Sequence, residues 1–253
     1  MRANTMKARL YAGEPVFGLS IMIPSPQVVE MAAAVGFDWV LLDCEHGTLN
    51  LETVELMVTA ADAAGIVPIA RPAVNAPEAI GPLLDRGVMG LQVPHVDSAD
   101  AARRAVQAAR FYPHGSRGLA AGTRPSGYGL SMSTKEFVER SNREILVCAQ
   151  LEDRAAIDNV DEILAVPGVD VFFIGPSDLS QSMGYPGERD NPAVKTAIEE
   201  TLGKIRAAGK IPGMPATADS VSSVAGNGVQ YVYTHLPGLL NSAAREFFGA
   251  ARL

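Results

Sequence analysis

The chain has 253 residues, 47% hydrophobic and 19% charged, which is enough to bury a full core and fits one α/β barrel or two smaller domains. Its formal charge of −7, with no basic stripe and no interleaving of aromatic and basic residues, argues against nucleic acid or an anionic membrane as a partner. The opening decapeptide lacks an apolar core of signal-peptide length and no later stretch approaches a membrane span, so a soluble, cytoplasmic protein is expected.

In chain order, residues 17–23 form a short apolar run bounded by Pro15 and Pro24, and a helical pattern through Val28, Val29, Met31, Ala32 and Val35 stops at Gly36. Residues 39–47 are a second strand that ends in charge at Asp43, Glu45 and His46, and the next helix, 51–64, is ended by Gly65. The unit repeats: strand 67–71 with helix 76–86, and strand 90–94 with a helix capped around Asp97 or Ser98. Residues 111–128 carry too many glycines and prolines for a regular element and read as a long loop, in which Arg117 and Arg124 are expected as solvated charges rather than ligand contacts. A short helix over 134–142 leads to strand 147–152, a helix over 154–165 and strand 171–174. Asn191-Pro192 opens a further helix with Gly209 past its end, and strands 211–216 and 231–235, each followed by a helix, complete the set. Cys44 and Cys148 both fall inside apolar strand-like runs, which suits small buried thiols better than a disulfide or a nucleophile.

Eight strand-then-helix units of roughly thirty residues, with near-continuous apolar strands, predict an α/β fold of one domain over residues 1–253: a single (β/α)8 TIM barrel. The competitor is a doubly wound open sheet. It is disfavoured because no glycine-rich dinucleotide fingerprint follows the first strand and because polar residues gather at the carboxyl ends of strands two, three, five and six.

Aligning those strand ends collects Asp43, Glu45, His46, Arg71, Gln150, Glu152, Ser177 and Asp178 at one mouth. Alternation sends Gln150 and Glu152 to the same side of their strand, and Gly175-Pro-Ser-Asp178 turns the chain into a short helix whose first N–H groups suit an anion. Either acid alone reads better as a helix-terminus residue; together, at neighbouring strand ends, Glu152 and Asp178 can share a divalent cation. Oxygen ligands with open positions suit Mg²⁺ or Mn²⁺ better than zinc. A 2-oxo acid chelated to such a cation has an acidified neighbouring carbon, the starting point of aldol chemistry. His46 is the expected proton carrier, and Arg71 either pairs with Asp43 or Glu45 or stabilises developing negative charge, roles that are compatible.

The segments Phe37-Asp-Trp-Val-Leu-Leu-Asp43-Cys-Glu-His46, Arg71-Pro, Leu83-Leu-Asp85-Arg-Gly, Tyr112-Pro-His-Gly-Ser-Arg117-Gly118, Gln150-Leu-Glu152 and Phe173-Ile-Gly-Pro-Ser-Asp178-Leu-Ser together resemble the metal-dependent (class II) pyruvate aldolases typified by 4-hydroxy-2-oxoheptanedioate aldolase, over nearly the whole chain. The resemblance implies a lyase of the phosphoenolpyruvate/pyruvate superfamily that reversibly cleaves 4-hydroxy-2-oxo acids to pyruvate, or hydroxypyruvate, and an aldehyde. It implies Glu152 and Asp178 as ligands of Mg²⁺ or Mn²⁺ (Co²⁺ also fitting), His46 as acid/base and Arg71 as transition-state stabiliser. It further implies that Gln150 and the backbone at Ser177 and Asp178 hold the 2-oxo acid. Only the resemblance singles out Asp85, as a residue of a neighbouring subunit that raises the basicity of His46, in a hexamer built as a trimer of dimers with exchanged C-terminal helices. His235, where a small or acidic residue is more usual, and the apolar first loop depart from the pattern and bear on the aldehyde. Two other readings are a relative acting on a phosphorylated or thioester 2-oxo or malyl compound, and a catalytically silent barrel with a binding role.

Overall fold

A computed structural model describes residues 2–251; residue 1 and residues 252–253, the ends of the expected domain, lie outside them. The periodicity resolves into eight parallel strands joined in sequence order into a closed barrel, with β8 returning to pair with β1 through Val16↔Tyr231 to Ser20↔His235. The first half runs α1 (Thr5–Tyr11), β1 (Val16–Ile21), α2 (Pro26–Ala34), β2 (Trp39–Asp43), α3 (Leu51–Ala64), β3 (Val67–Arg71), α4 (Pro77–Arg86), β4 (Gly90–Val93) and α5 (Ala99–Ala109). After it come a 3-10 turn (Arg124–Ser126), α6 (Thr134–Glu144), β5 (Leu146–Leu151), α7 (Arg154–Asp158), α8 (Val160–Leu164), β6 (Val171–Ile174) and α9 (Pro176–Ser182). The last elements are α10 (Pro192–Ala207), β7 (Ile211–Pro215), α11 (Val221–Gly226), β8 (Tyr231–His235) and α12 (Leu236–Ala251).

The strands are apolar on both faces because each has a buried environment on both sides. Trp39, Leu41, Ile69, Cys148, Phe173, Tyr231 and Tyr233 fill the barrel interior, while Val40, Leu42, Leu91, Val147, Ala149, Phe172 and Ile174 pack outward under the helices. Caps fix the helix phases: Asn50 and Thr53 form a reciprocal capping box on α3, and Ser98, not Asp97, caps α5.

Several details depart from the sequence expectation. Helix α1 was not anticipated; it is short, but Met6 and Leu10 insert among the interior residues and close the amino-terminal end of the barrel. The single helix expected over 154–165 is two short ones, because Asn159 leaves helical geometry and its side chain donates to the Asp97 carbonyl at 3.0 Å. Strand β2 stops at Asp43, and residues 44–47 form the turn above it. Cys44, beyond the strand end, is half-buried, and Cys148 is fully buried; both are free thiols. Burial, then Asp43, pushes the Cys44 thiol up to about 11, which keeps it protonated and poorly nucleophilic. Among the described residues no helix is long and apolar enough to cross a membrane.

Glycine 18 shows how tightly the interior is filled, since a Cβ there would overlap the indole ring of the fully buried Trp39. Gly18→Ala should therefore destabilise the protein by about 1–3 kcal/mol through overpacking. A lowered urea midpoint at unchanged m is the expected reading, and a parental midpoint would mean that Trp39 repacks freely.

Candidate active site

The registered ends of β2 and β3 put Asp43 directly beside Arg71. The guanidinium grips the carboxylate with two bonds, Nε to Oδ1 at 3.0 Å and Nη2 to Oδ2, and its Nε also lies 3.2 Å from Glu45 Oε2. Both alternatives foreseen for Arg71 pairing are thus realised. Asp43 Oδ1 further accepts the N–H groups of Glu45 and His46, at 3.1 and 3.2 Å, which folds the chain back and carries His46 over the mouth. The His46 ring stays half-exposed, with Nε2 3.8 Å from Glu45 Oε2. Burial alone would push the Asp43 carboxyl up, but Arg71 and the two N–H groups outweigh it and hold it below the ordinary aspartate value.

On the opposite side, Gln150 and Glu152 do face the same way, and Gln150 Nε2 donates to Glu152 Oε2. Gln92 on β4 donates in turn to Gln150 Oε1, so a buried amide chain fixes the acid from behind. Glu152 Oε1 accepts the His95 N–H at 2.9 Å, and the residue is only 1% exposed. Burial pushes its carboxyl above the ordinary glutamate value; Gln150 and His95 oppose that, while the Asp178 charge adds to it. Gly175 lets this crowding occur, because a Cβ there would stand 2.9 Å from Glu152 Oε2. The chain then enters α9 without a side-chain cap, placing Ser177 exposed and Asp178 half-buried on its first turn.

Three residues of the mouth, His95, Gln92 and Tyr233, escaped the sequence reading. His95 follows β4 with a left-handed backbone (φ 51°), and its ring lies 3.0 Å from Asp153 Oδ2, 3.6 Å from Glu152 Oε1 and 3.5 Å from Glu45 Oε1. Gln92 sat unremarked in an apolar run, and Tyr233 is stacked on Phe173 with centroids 5.1 Å apart. His235 stands edge-on to Tyr233 at 5.2 Å, and burial together with the Arg71 charge lowers its pKa. Strand alternation would have put Tyr233 on the same face as His235, which the sequence reading had singled out; nothing in the sequence marks His95 apart from its place just past a strand end.

Two arginines depart from expectation. Arg117 is not solvated: it is buried over the Phe111 ring at 4.6 Å, reaches Ser141 Oγ at 3.1 Å and pairs with Asp85 at 2.8 Å. Arg124 pairs with Asp62 at 2.5 Å. Asp85 itself ends α4, next to where β4 begins, and within one chain it is not brought to the mouth.

The Asp43–Arg71 pair makes a pH-dependent contribution. A carboxyl depressed by folding stabilises the native state above its unfolded pKa of about 3.9, and that contribution is lost as pH falls through the lower folded value. Asp43→Asn should cost about 3–5 kcal/mol near neutrality, by stranding a buried guanidinium, with the deficit shrinking below about pH 4. Urea midpoints of parent and variant across pH 3–7 check this, and a deficit independent of pH would refute it.

The profile of the HpcH/HpaI aldolase/citrate lyase family matches residues 17–232. A 4-hydroxy-2-oxo-heptane-1,7-dioate aldolase of Shigella flexneri is 42% identical over 216 residues, 83% of this chain and 78% of that protein. The crystal structure of an HpcH/HpaI aldolase/citrate lyase family protein from Burkholderia cenocepacia J2315 superposes with a TM-score of 0.93 at 29% identity, covering 99% of this chain and 100% of that one. A citrate synthase, SbnG, superposes with a TM-score of 0.86 at 29% identity, covering 97% and 96% of the two chains. By sequence over most of its length, the chain belongs to the HpcH/HpaI aldolase/citrate lyase family.

Proposed function

We propose that the chain is a divalent-metal-dependent aldolase that reversibly cleaves 4-hydroxy-2-oxo acids to a pyruvate-type 2-oxo acid and an aldehyde. The observation that carries the reading is Glu152: a carboxylate 1% exposed, raised in pKa by burial and by a second carboxylate, Asp178, at the mouth of a barrel. Arg71, the guanidinium at the end of β3, is already committed to Asp43 and Glu45. A divalent ion fits this imbalance, and an all-oxygen pair suits Mg²⁺ or Mn²⁺. Among the described residues no three His, Cys, Asp or Glu side chains form a group able to hold a metal, so the remaining ligands would come from water and substrate. The 42% identical relative, named for a 4-hydroxy-2-oxo acid, supports the substrate class.

Bound to Glu152 and Asp178, the cation would supply Lewis acidity to the keto and carboxylate oxygens of the substrate. Gln150, fixed by Gln92, would orient the 2-oxo acid, and the N–H groups at Ser177 and Asp178, at the start of α9, would receive its carboxylate. Arg71 stabilises the negative charge that develops on the C4 oxygen as its proton leaves; when the C3–C4 bond breaks, that oxygen becomes the aldehyde carbonyl and the electron pair passes to the 2-oxo acid as its enolate. His46, half-exposed and able to reach over the mouth, takes the C4 hydroxyl proton, and in the reverse direction returns it.

The same reading includes an oligomer. No residue of α12 is buried within one chain, and Leu240, Phe247 and Phe248 are 70%, 70% and 56% exposed. An apolar helix in that state gains by covering itself on a neighbour, in a hexamer with exchanged C-terminal helices, where Asp85 would act on the His46 of another subunit.

Treatment with EDTA should abolish pyruvate release from a 4-hydroxy-2-oxo acid, and Mg²⁺ or Mn²⁺ should restore it. Glu152→Ala and Asp178→Ala should lose both activity and calorimetric metal binding, whereas His46→Ala should keep metal binding and lose about 10²–10⁴ in kcat. Parental metal affinity in both carboxylate variants would place the ion elsewhere. For the assembly, light scattering should give a hexamer; a monomer at micromolar concentration would remove both the helix exchange and the role of Asp85.

A further inference from the structure

His95 is one of only two non-glycine described residues with a left-handed backbone, a strained state that persists where surroundings fix it. Its main chain donates to Glu152, and its ring, 3.6 Å from the same carboxylate, also reaches two others. Nδ1 is hydrogen-bonded to Asp153 Oδ2 at 3.0 Å, just beyond β5, and Nε2 lies 3.5 Å from Glu45 Oε1, just beyond β2. The imidazole thus spans the mouth between two carboxylates on different loops. The other Glu45 oxygen, Oε2, is buried and has no hydrogen-bond partner among the described residues. That oxygen lies 3.2 Å from Arg71 Nε and 3.8 Å from His46 Nε2. Whatever fixes Glu45 therefore fixes the surroundings of both groups.

We propose that His95 is a positioning residue for the reaction: its ring, tied to Asp153, holds Glu45 against Arg71 and His46 and so sets their geometry. The inference rests on the aldolase reading for its kinetic consequence, and on geometry alone for its structural one. An imidazole anchored on one nitrogen presents the other in a fixed direction, which is how supporting histidines and carboxylates order an active site. The ring acts on turnover through Glu45, whereas the hydrogen bond to the metal carboxylate, shorter than the 3.6 Å ring contact, comes from the His95 N–H, which any residue but proline supplies.

Substitution can therefore remove the ring and keep the main-chain hydrogen bond. His95→Gly adopts the left-handed backbone without strain, keeps the N–H to Glu152 and deletes the bridge. His95→Asn also tolerates the backbone but is too short to span both carboxylates. Both variants should lose about tenfold in kcat, with KM and the Kd for Mn²⁺ changed less than about twofold. Glu45→Gln should show a similar loss, and His95→Gly combined with Glu45→Gln should be no worse than the poorer single variant, because the two act in series. Parental kcat in His95→Gly, or losses that multiply in the double variant, would overturn the proposal. A second measurement needs no turnover: the ring nitrogen NMR signals of His46 should shift in His95→Gly as they do in Glu45→Gln, and unmoved signals would overturn the bridge. A parent that releases no pyruvate with either metal would defeat the aldolase reading instead, leaving the His46 signals to decide the bridge.

Discussion

A guanidinium and a carboxylate buried side by side add little to stability over an apolar pair, yet separating them is costly because one charge is left without solvent or partner. Arg71 and Asp43 are in that position, at registered ends of β2 and β3, and the rest of the mouth is arranged about their contact. Asp43 takes two N–H groups of the turn that carries Glu45 and His46, so the ion pair also sets where the proposed proton carrier stands. Arg71 in turn faces Glu45, which joins the pair to the His95 side of the mouth. The members are thus linked by contact into one half-ring, and such geometry favours a precise site over a stable one.

The barrel makes this arrangement possible by being rigid where the mouth is not. Its interior is filled by rings, with Trp39 against Tyr231 at 4.1 Å and Tyr233 flat on Phe173, and α1 plugs the far end with Met6 and Leu10. A packed interior leaves the carboxyl ends of the strands as the place where polar side chains converge on a shared volume. Gly175 is the local counterpart: with no Cβ it lets α9 start against Glu152, bringing the Asp178 charge close enough to add to the rise that burial causes in the Glu152 carboxyl.

Fold and mouth were legible in the sequence to different depths. Near-continuous apolar strands alternating with capped helices specify a parallel barrel, because period and cap chemistry are local properties of the chain. Asp43, Glu45, Arg71, Gln150 and Glu152 were legible for the same reason: a charge that closes an apolar strand has one place to go. Met6 and Leu10 were not, since a two-turn helix is too short for its periodicity to stand out, and its burial depends on the barrel it plugs. Arg117 was misread because glycines and prolines on both sides suggested an exposed loop, whereas Phe111 and Phe137 make a buried floor for its guanidinium and Asp85 neutralises it. His95 was missed because its role comes from loops after β2 and β5, sequence neighbours of neither β4 nor each other.

The charge distribution also divides the mouth by task. On the β2–β3 side, acids and Arg71 largely neutralise each other, which suits a region where charge appears only during reaction. On the β5–β6 side, Glu152 has the Gln150 amide, the His95 N–H and the His95 ring at 3.6 Å but, among the described residues, no arginine or lysine in an ion pair, leaving negative charge that a cation can take up. His235 and Tyr233 close the third side from β8 with aromatic surface, and the Arg71 charge disfavours a second positive charge on His235. A neutral, aromatic wall next to a charged one limits where an anionic end of an incoming molecule can lie, and it is on that wall, where the chain departs from the resemblance described above, that aldehyde choice would be decided. Substrate class would then be held by the cation side and substrate identity by β8, so the two can vary independently within one barrel.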